Sequence, residues 1–159
     1  MREISVQIKF NEYENVDHLG EKDKQLIMKA RDAAKNGYAP YSGFRVGAAV
    51  LLANGIFVTG NNQENAAYPS GLCAERTALF YAASQYPNVP IIAITVSAIG
   101  QQSFEFAKPC GACRQVIAEY EDLAGHPLRI LLDGNERIIV IHGIDGLLPI
   151  RFKKQDLNI

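Results

Sequence analysis

The sequence predicts an α/β fold: one sheet covered by helices, with an additional strand at the N terminus. After that leading strand, helical and strand patterns follow in the order α, β, β, α, β, α, β, β. A chain of 159 residues with 48% apolar residues is the size of a single domain that can bury its own core. No repeat, low-complexity tract or linker divides it.

The leading strand is predicted from an alternation near the N terminus. Ile4, Val6, Ile8 and Phe10 are separated by polar or small residues. A period of two residues is typical of a strand with one buried face. We expect this strand to add to an edge of the sheet.

The first helix is predicted from about residue 21 to residue 36. Apolar residues recur there at helical spacing. They are Leu26, Ile27, Ala30, Ala33 and Ala34. Gly37 is expected to stop the helix, and Pro40 cannot continue it.

The remaining strands are predicted from apolar runs and turn residues. Residues 46–53 and 56–59 flank Asn54-Gly55, which indicates a two-residue hairpin. Residues 91–98 form an apolar run between the helical patterns that follow Cys73 and Cys110. Residues 128–133 and 138–141 give two more strands around Gly134-Asn135.

Charge and composition exclude several classes of function. Sixteen basic residues oppose seventeen acidic ones, and no basic run is longer than Lys153-Lys154. This balance argues against a surface that binds a nucleic-acid backbone. The N terminus lacks the apolar core of a signal peptide, and no apolar run is long enough to cross a bilayer. We therefore expect a cytoplasmic protein that binds neither nucleic acid nor membrane.

Three cysteines in two short motifs predict a metal site. Cys73 lies two residues before Glu75, and Pro109 precedes a pair of cysteines at positions 110 and 113. Cys110 and Cys113 are three apart and share one face of a helical turn, with Pro109 at its entry. Three thiolates would leave one tetrahedral position of Zn²⁺ open for water, and the adjacent Glu75 could move its protons.

The spacing of Cys73 and Glu75 restricts where that ion can lie. Side chains two apart on a helix point in nearly opposite directions, so the ion cannot sit against the flank of their helix. It must lie beyond the N-terminal end, where the helix dipole favours thiolates. Arg76, three residues after Cys73, is a candidate donor to the ligand sulfurs.

Two structural interpretations compete with a catalytic metal. A disulfide or unrelated core cysteines could explain three sulfurs. The second interpretation is a structural Cys₃His site, with His18, His126 or His142 as the fourth ligand. None of these histidines lies at the short spacing that such sites usually show.

Four motifs together resemble cytidine deaminases of the short homotetrameric class. They lie at residues 39–49 (APYSGFRVGAA), 60–68 (GNNQENAAY), 73–78 (CAERTA) and 109–116 (PCGACRQV). A Cys-x-Glu motif with Pro-Cys-x-x-Cys is the signature of zinc-dependent nucleobase deaminases. The resemblance runs from about residue 21 to residue 152. It implies a three-layer α/β/α fold with a mixed sheet of about five strands, so that residues 1–20 are an extension and residues 21–159 the catalytic domain.

The same resemblance implies an activity and site residues. The activity is hydrolysis of cytidine and deoxycytidine to uridine and deoxyuridine with one zinc ion per subunit. Asn62 and Glu64 would bind the ribose 3′-hydroxyl, Phe44 would pack beside the base and the Ala74 backbone would meet the pyrimidine. Two further residues would reach a neighbouring subunit's site; these are Tyr68 and Phe152.

The residues around position 62 agree with a nucleoside ligand. Side chains two apart in extended chain face the same side, so Asn62 and Glu64 would present an amide and a carboxylate together, with Gln63 pointing away. The segment has no arginine or lysine for a phosphate. Three different functions stay open: a blasticidin-S deaminase, a deaminase of polynucleotides and a zinc-stabilised interaction module without catalysis.

Overall fold

The computed structural model describes residues 1–99, 105–134 and 136–157. Within these residues three α-helices cover one six-stranded sheet. The strands are β1 (Asn11–Tyr13), β2 (Arg45–Leu52), β3 (Phe57–Asn61), β4 (Ile91–Ile99), β5 (Arg129–Asp133) and β6 (Ile138–His142). The helices are α1 (Glu21–Lys35), α2 (Ala74–Gln85) and α3 (Gly111–Ala124). The predicted order of elements is confirmed.

The sheet is mixed, as predicted. Its spatial order is β1-β6-β5-β4-β2-β3, and all neighbours are antiparallel except β4 and β5. The parallel pair is joined through α3, because two parallel strands need a crossover between them. β1 and β3 therefore form the two edges.

Helices cover both faces, which confirms the three-layer α/β/α class. The alternation of β2 shows how one strand serves both layers. Ala49 and Leu51 pack with α1, whereas Ala48 and Val50 pack with α2 and α3 on the opposite face. Both faces of β2 are buried, so its sequence is a continuous apolar run.

The first helix has the predicted face and ends one residue early, at Lys35. Four of its five predicted apolar residues are fully buried: Leu26, Ile27, Ala30 and Ala34. Gly37 does not take the left-handed conformation of a helix-ending glycine. It is needed for space, because a Cβ there would lie 2.5 Å from Asn62 Oδ1.

The hairpin between β2 and β3 is confirmed, but its loop has three residues instead of two. The Leu52 amide donates to the Ile56 carbonyl at 2.9 Å, which leaves residues 53–55 as the loop. Asn54 has a negative φ, which rules out the type I′ turn that a two-residue Asn-Gly loop requires. Gly55 has φ +87°, the left-handed position of a three-residue loop.

The additional N-terminal strand exists, but it lies later in the chain than the alternation predicts. Residues 1–10 form no strand, and the short β1 pairs antiparallel with β6 at one edge of the sheet. Ile4, Val6, Ile8 and Phe10 are 76%, 62%, 48% and 52% exposed. The prediction of a half-buried strand over residues 4–10 was therefore wrong, because an alternating pattern does not supply a strand to pair with.

The strands near the C terminus match the prediction within one residue at each end. Of the predicted turn between them, Gly134 is described and Asn135 lies outside the described residues. No helix in the described ranges has the length and apolar content that crossing a membrane demands.

Two strand glycines let helices lie directly on the sheet. A Cβ at Gly47 of β2 would lie 2.0 Å from the Ala30 carbonyl oxygen of α1. A Cβ at Gly60 of β3 would lie 2.4 Å from the Ala78 amide nitrogen of α2. Both neighbours are backbone atoms, so neither contact can be relieved by a side-chain rotation.

We expect Gly47→Ala to lower the free energy of unfolding by about 3 kcal/mol, because the methyl group must push α1 away from β2. Urea denaturation measures this. The matched control is Gly20→Ala, where a Cβ meets nothing within 4 Å and the expected loss is below about 1 kcal/mol. Equal losses in the two variants would contradict the close approach of α1.

Candidate active site

Two helices begin at one place. Cys73 is the N-cap residue of α2, and Cys110 is the N-cap residue of α3. Both have extended backbone, and neither side chain caps its own helix. The two thiols are therefore free to bind a common ligand. The positive ends of the two helix dipoles both point toward them.

The three cysteines form one cluster, as their spacing predicts. Cys113, in the first turn of α3, is fully buried beside the two N-cap cysteines. The three sulfur atoms lie within 4.8 Å of one another, and Cys73 and Cys110 are 3.9 Å apart. Tetrahedral zinc with bonds of about 2.3 Å separates its sulfur ligands by about 3.8 Å. The donor set and its dimensions thus fit one Zn²⁺ ion.

Both structural interpretations of the cysteines are wrong. Sulfur atoms 3.9 Å apart are not bonded, and all three cysteines are free thiols. His18, His126 and His142 all belong to the described residues, yet the metal-binding cluster found among those residues contains cysteines alone.

Glu75 is a buried carboxyl next to this cluster. It is the second residue of α2, and only 4% of its surface is exposed. Burial raises its pKa to about 7, because the charged form loses its hydration, and the negative charge of Cys73 adds to this shift. A carboxyl group with a pKa near neutrality can both accept and donate a proton.

The thiols themselves are not equivalent. The hydrogen bond from Cys113 lowers the pKa of Cys73 to about 5, and Arg76 adds to the effect. The same hydrogen bond, together with burial, raises the pKa of Cys113. Arg76 Nη2 donates to Cys73 Sγ at 3.6 Å. Arg76 Nε is buried and has no partner among the described residues.

A cavity of about 570 Å³ opens beside Glu75 and two of the cysteines. This volume suits a small organic molecule such as a nucleoside. The sequence-predicted site residues on its wall are Phe44, Asn62, Glu64, Tyr68, Cys73, Ala74, Glu75, Arg76 and Cys110. Residues from all four motifs therefore meet around one space.

Asn62 and Glu64 hold the segment that carries Phe44. The Asn62 amide accepts from the Val46 amide at 2.8 Å and donates to the Phe44 carbonyl at 2.9 Å. The Glu64 carboxylate accepts from the Tyr41 amide at 2.9 Å and from the Ser42 hydroxyl. The Ser42 hydrogen bond, with that of the Tyr41 amide, lowers the pKa of Glu64 and keeps it ionised.

Two predicted aromatic residues lie farther out. Tyr68 is on the cavity wall and 89% exposed. Phe152 is 57% exposed, and its carbonyl accepts from Gln115 Nε2 at 2.9 Å. Phe152 does not line the cavity within the described chain, so a role for it there stays a prediction.

The sequence-based prediction left out several residues around the site, among them Ser42, Lys108 and Arg114. Ser42 and Lys108 line the cavity. Ser42 lies inside the motif at residues 39–49, and Lys108 directly precedes the motif at residues 109–116, so these positions were the available signal. Arg114 donates from Nε to the Pro109 carbonyl and from Nη1 to the Leu147 carbonyl, both at 2.9 Å. It ties the start of α3 to the C-terminal segment. Its position four residues after Cys110 was the available signal.

The sequence profile described as "Cytidine and deoxycytidylate deaminase zinc-binding region" matches residues 20–124. The chain is 40% identical to a cytidine deaminase of Halalkalibacterium halodurans, over 86% of this chain and 98% of the relative. It is 38% identical to a cytidine deaminase of Sporosarcina psychrophila, over 85% of this chain and 94% of the relative.

Solved structures give the same result. The crystal structure of a cytidine deaminase from Burkholderia pseudomallei matches with a TM-score of 0.69 and 37% identity, over 80% of this chain and 97% of that one. The crystal structure of a cytidine deaminase from Mycobacterium tuberculosis matches with a TM-score of 0.64 and 35% identity, over 81% and 95%.

We expect the Glu75 carboxyl to make metal-free protein less stable, relative to Glu75→Gln, as the pH rises from about 4.5 to about 7. In this window Glu75 of the unfolded chain has released its proton, whereas the folded protein still holds it. At this group the unfolded state then binds fewer protons, so the contribution of Glu75 to the free energy of unfolding falls, by about 3 kcal/mol in total. Cys73, whose lowered pKa acts in the opposite direction, is present in both proteins of the comparison below. Urea denaturation across the window should show this loss relative to Glu75→Gln, which lacks the titrating group. A pH-independent difference between the two proteins would contradict it.

Proposed function

Because the chain belongs to the cytidine and deoxycytidylate deaminase zinc-binding family, we propose that it hydrolyses cytidine and deoxycytidine to uridine and deoxyuridine, releasing ammonia. One observation carries the proposal: a buried carboxyl with a pKa of about 7 and two of the three clustered thiols border the same nucleoside-sized cavity. The catalytic unit in this proposal is residues 21–159, and residues 1–20 are an extension.

Cys73, Cys110 and Cys113 would hold one Zn²⁺ per subunit. When bound, the ion supplies Lewis-acid activation of the water that attacks the base. Three thiolates would weaken that activation, because they give the site a net charge of about −1. Two helix N-termini and the Arg76 guanidinium oppose this effect by withdrawing charge from the sulfurs.

Glu75 moves the protons in this mechanism. Its carboxylate accepts a proton from the water that attacks C4 of the cytosine ring, and it then donates that proton to N3. It takes the second proton from the new hydroxyl group and passes it to the departing amine, which leaves as ammonia. One carboxyl group can serve as base and then as acid near neutral pH because its pKa lies there.

The remaining wall residues would bind the nucleoside. Asn62 and Glu64 would hydrogen-bond the ribose 3′-hydroxyl, Phe44 would pack beside the base, and the Ala74 backbone would meet the pyrimidine. All four line the cavity, and the ionised Glu64 is an acceptor suited to a hydroxyl group. Phe44 is 37% exposed, so part of its ring faces the space where a base would lie.

We further propose a homotetramer in the cytoplasm, in which Tyr68 and Phe152 reach the site of a neighbouring subunit. The exposed aromatic side chains of Tyr68 and Phe152 support the proposed assembly, since aromatic residues are common in interfaces. Three free thiols suit a reducing compartment. Light scattering on the zinc-loaded protein would give the number of subunits.

We expect Arg76→Ala to weaken zinc binding about 10- to 100-fold, because the Cys73 sulfur loses its only cationic donor in the described chain. Competition with a chromogenic chelator measures this affinity. Arg76→Lys is the matched control: it keeps the charge without the planar guanidinium, and should recover part of the loss. Unchanged affinity in Arg76→Ala would refute the assigned role.

We expect Glu75→Gln to retain its zinc and to deaminate cytidine about 10²- to 10⁴-fold more slowly, because the amide cannot accept the proton. Zinc content, subunit mass and the loss of cytidine absorbance should be measured on the same purified sample. Near-normal turnover by the zinc-loaded variant would sink the mechanism. No turnover by the zinc-loaded wild-type protein would favour an interaction module without catalysis.

A substrate panel in the same assay distinguishes nucleosides from the competing substrate classes. It contains cytidine, deoxycytidine, deoxycytidine 5′-phosphate, blasticidin S and a cytosine-containing oligonucleotide. We expect the two nucleosides to react fastest. The phosphorylated substrate is the second candidate, because Lys108 lies on the cavity wall and could attract its phosphate. If the protein prefers deoxycytidine 5′-phosphate and Lys108→Ala abolishes that preference, the proposed substrate class becomes nucleotides instead of nucleosides.

A further inference from the structure

The segment at residues 4–10 leaves four apolar side chains about half or more exposed to solvent. Ile4 and Val6 are more than 60% exposed, and Ile8 and Phe10 are about half exposed. These residues alternate with Ser5, Gln7 and Lys9, so in extended chain they share one face. The segment also precedes residue 20, where the match to the family begins. Its apolar face is therefore a feature of this chain that the deaminase fold does not account for.

The segment continues an edge of the sheet. It runs directly into β1, which is paired on one side with β6 and is the last strand in the described sheet. Among the described residues, no backbone hydrogen bond joins residues 4–10 to another part of the chain. An alternating segment with unpaired backbone groups, attached to an edge strand, is a template for pairing with another strand.

We propose that residues 3–9 pair antiparallel with the same residues of a second copy of this chain, with Val6 facing Val6 of the partner subunit. The charges of the segment support this register. It places Glu3 opposite Lys9 of the partner subunit, and the twofold axis produces the reciprocal pair. It also places Ile4 opposite Ile8 of the partner subunit, so both apolar faces lie on the same side of the ribbon.

The neighbouring symmetric register is less favourable. With Gln7 facing Gln7 of the partner subunit, Lys9 lies opposite a serine and Glu3 opposite an asparagine. Its one charge pair joins Arg2 to Glu12 of the partner subunit. The Glu12 carboxylate, however, already accepts from Arg137 Nη1 at 2.7 Å within its own chain. The register centred on Val6 is the one that gives an opposite charge to both charged residues of the segment, Glu3 and Lys9.

Cysteine cross-linking of the full-length, zinc-loaded protein tests the pairing. Residues directly opposite have Cα atoms about 4.5 to 5.5 Å apart, which is within the range that a disulfide spans. We expect Val6→Cys to form a covalent dimer under mild oxidation, seen on a non-reducing gel. The matched control is Ile4→Cys, because residues 4 of the two copies lie about 13 Å apart along the ribbon. Wild-type protein measures the background from the cysteines of the metal cluster.

Exchanging the charges tests the register in the Val6→Cys background. Glu3→Lys or Lys9→Glu alone turns two attractive pairs into two repulsive ones, and each should slow dimer formation roughly tenfold or more at low salt. Mixing the two single variants restores opposite charges across the ribbon, so their mixed dimer should form at the original rate. The double variant with both changes should also recover it.

The possible results distinguish the proposed pairing from other binding partners of residues 3–9. Val6→Cys dimerising no faster than Ile4→Cys would overturn it, and would mean that the segment covers a different surface. Fastest dimerisation of Gln7→Cys would overturn the register. A rate insensitive to the exchanged charges would do the same. Cytidine turnover of these variants reports separately on the proposed function, since residues 3–9 do not touch the cavity.

Discussion

The close contact between α2 and β3 is the constraint on which the site depends. A Cβ at Gly60 would lie 2.4 Å from the Ala78 amide and 2.8 Å from the Ala74 carbonyl, so the first turn of α2 rests directly on the strand. This contact fixes where α2 begins, and with it the positions of Cys73 and Glu75. On the other side, Arg114 fixes the start of α3 through the carbonyls of Pro109 and Leu147. The sulfur cluster is the point where the two fixed helix starts meet.

At these two helix starts, the side chains of Cys73 and Glu75 have environments that shift their pKa values in opposite directions. Hydrogen bonds from Cys113 and Arg76 stabilise a thiolate at Cys73 and lower its pKa to about 5. Glu75 lies two residues further into α2, where burial outweighs the favourable contacts and raises its pKa to about 7. The fold thus separates a group that should be charged, to bind metal, from one that should exchange protons. The two pKa values shift in opposite directions because Glu75 is more deeply buried than Cys73, although the two residues are only two positions apart in the sequence.

Local patterns predicted what depends on local chemistry. The order of elements, the buried face of α1 and the joining of Cys73 with Cys110 and Cys113 follow from periodicity and from the fixed preferences of thiols. Features that need a distant partner were not predictable. The alternation at residues 4–10 was real, but no strand in the described part of the chain pairs with it. Likewise, the hydrogen bond between Ser42 and Glu64 joins residues 22 apart, and neither sequence position indicates the other.

The proposed sugar contacts must coexist with the hydrogen bonds that hold the Phe44 segment. An ionised carboxylate has about four acceptor sites, and Glu64 uses three of them, for the amides of Tyr41 and Ser42 and for the Ser42 hydroxyl. Asn62 uses one acceptor site and one donor, which leaves one of each. Both side chains can therefore bind a ribose hydroxyl without releasing the segment that they support. Because the same two residues hold Phe44 and would hold the sugar, base packing and sugar binding would be linked. Loss of either polar side chain would disturb the segment that carries Phe44 as well as the proposed hydroxyl contact.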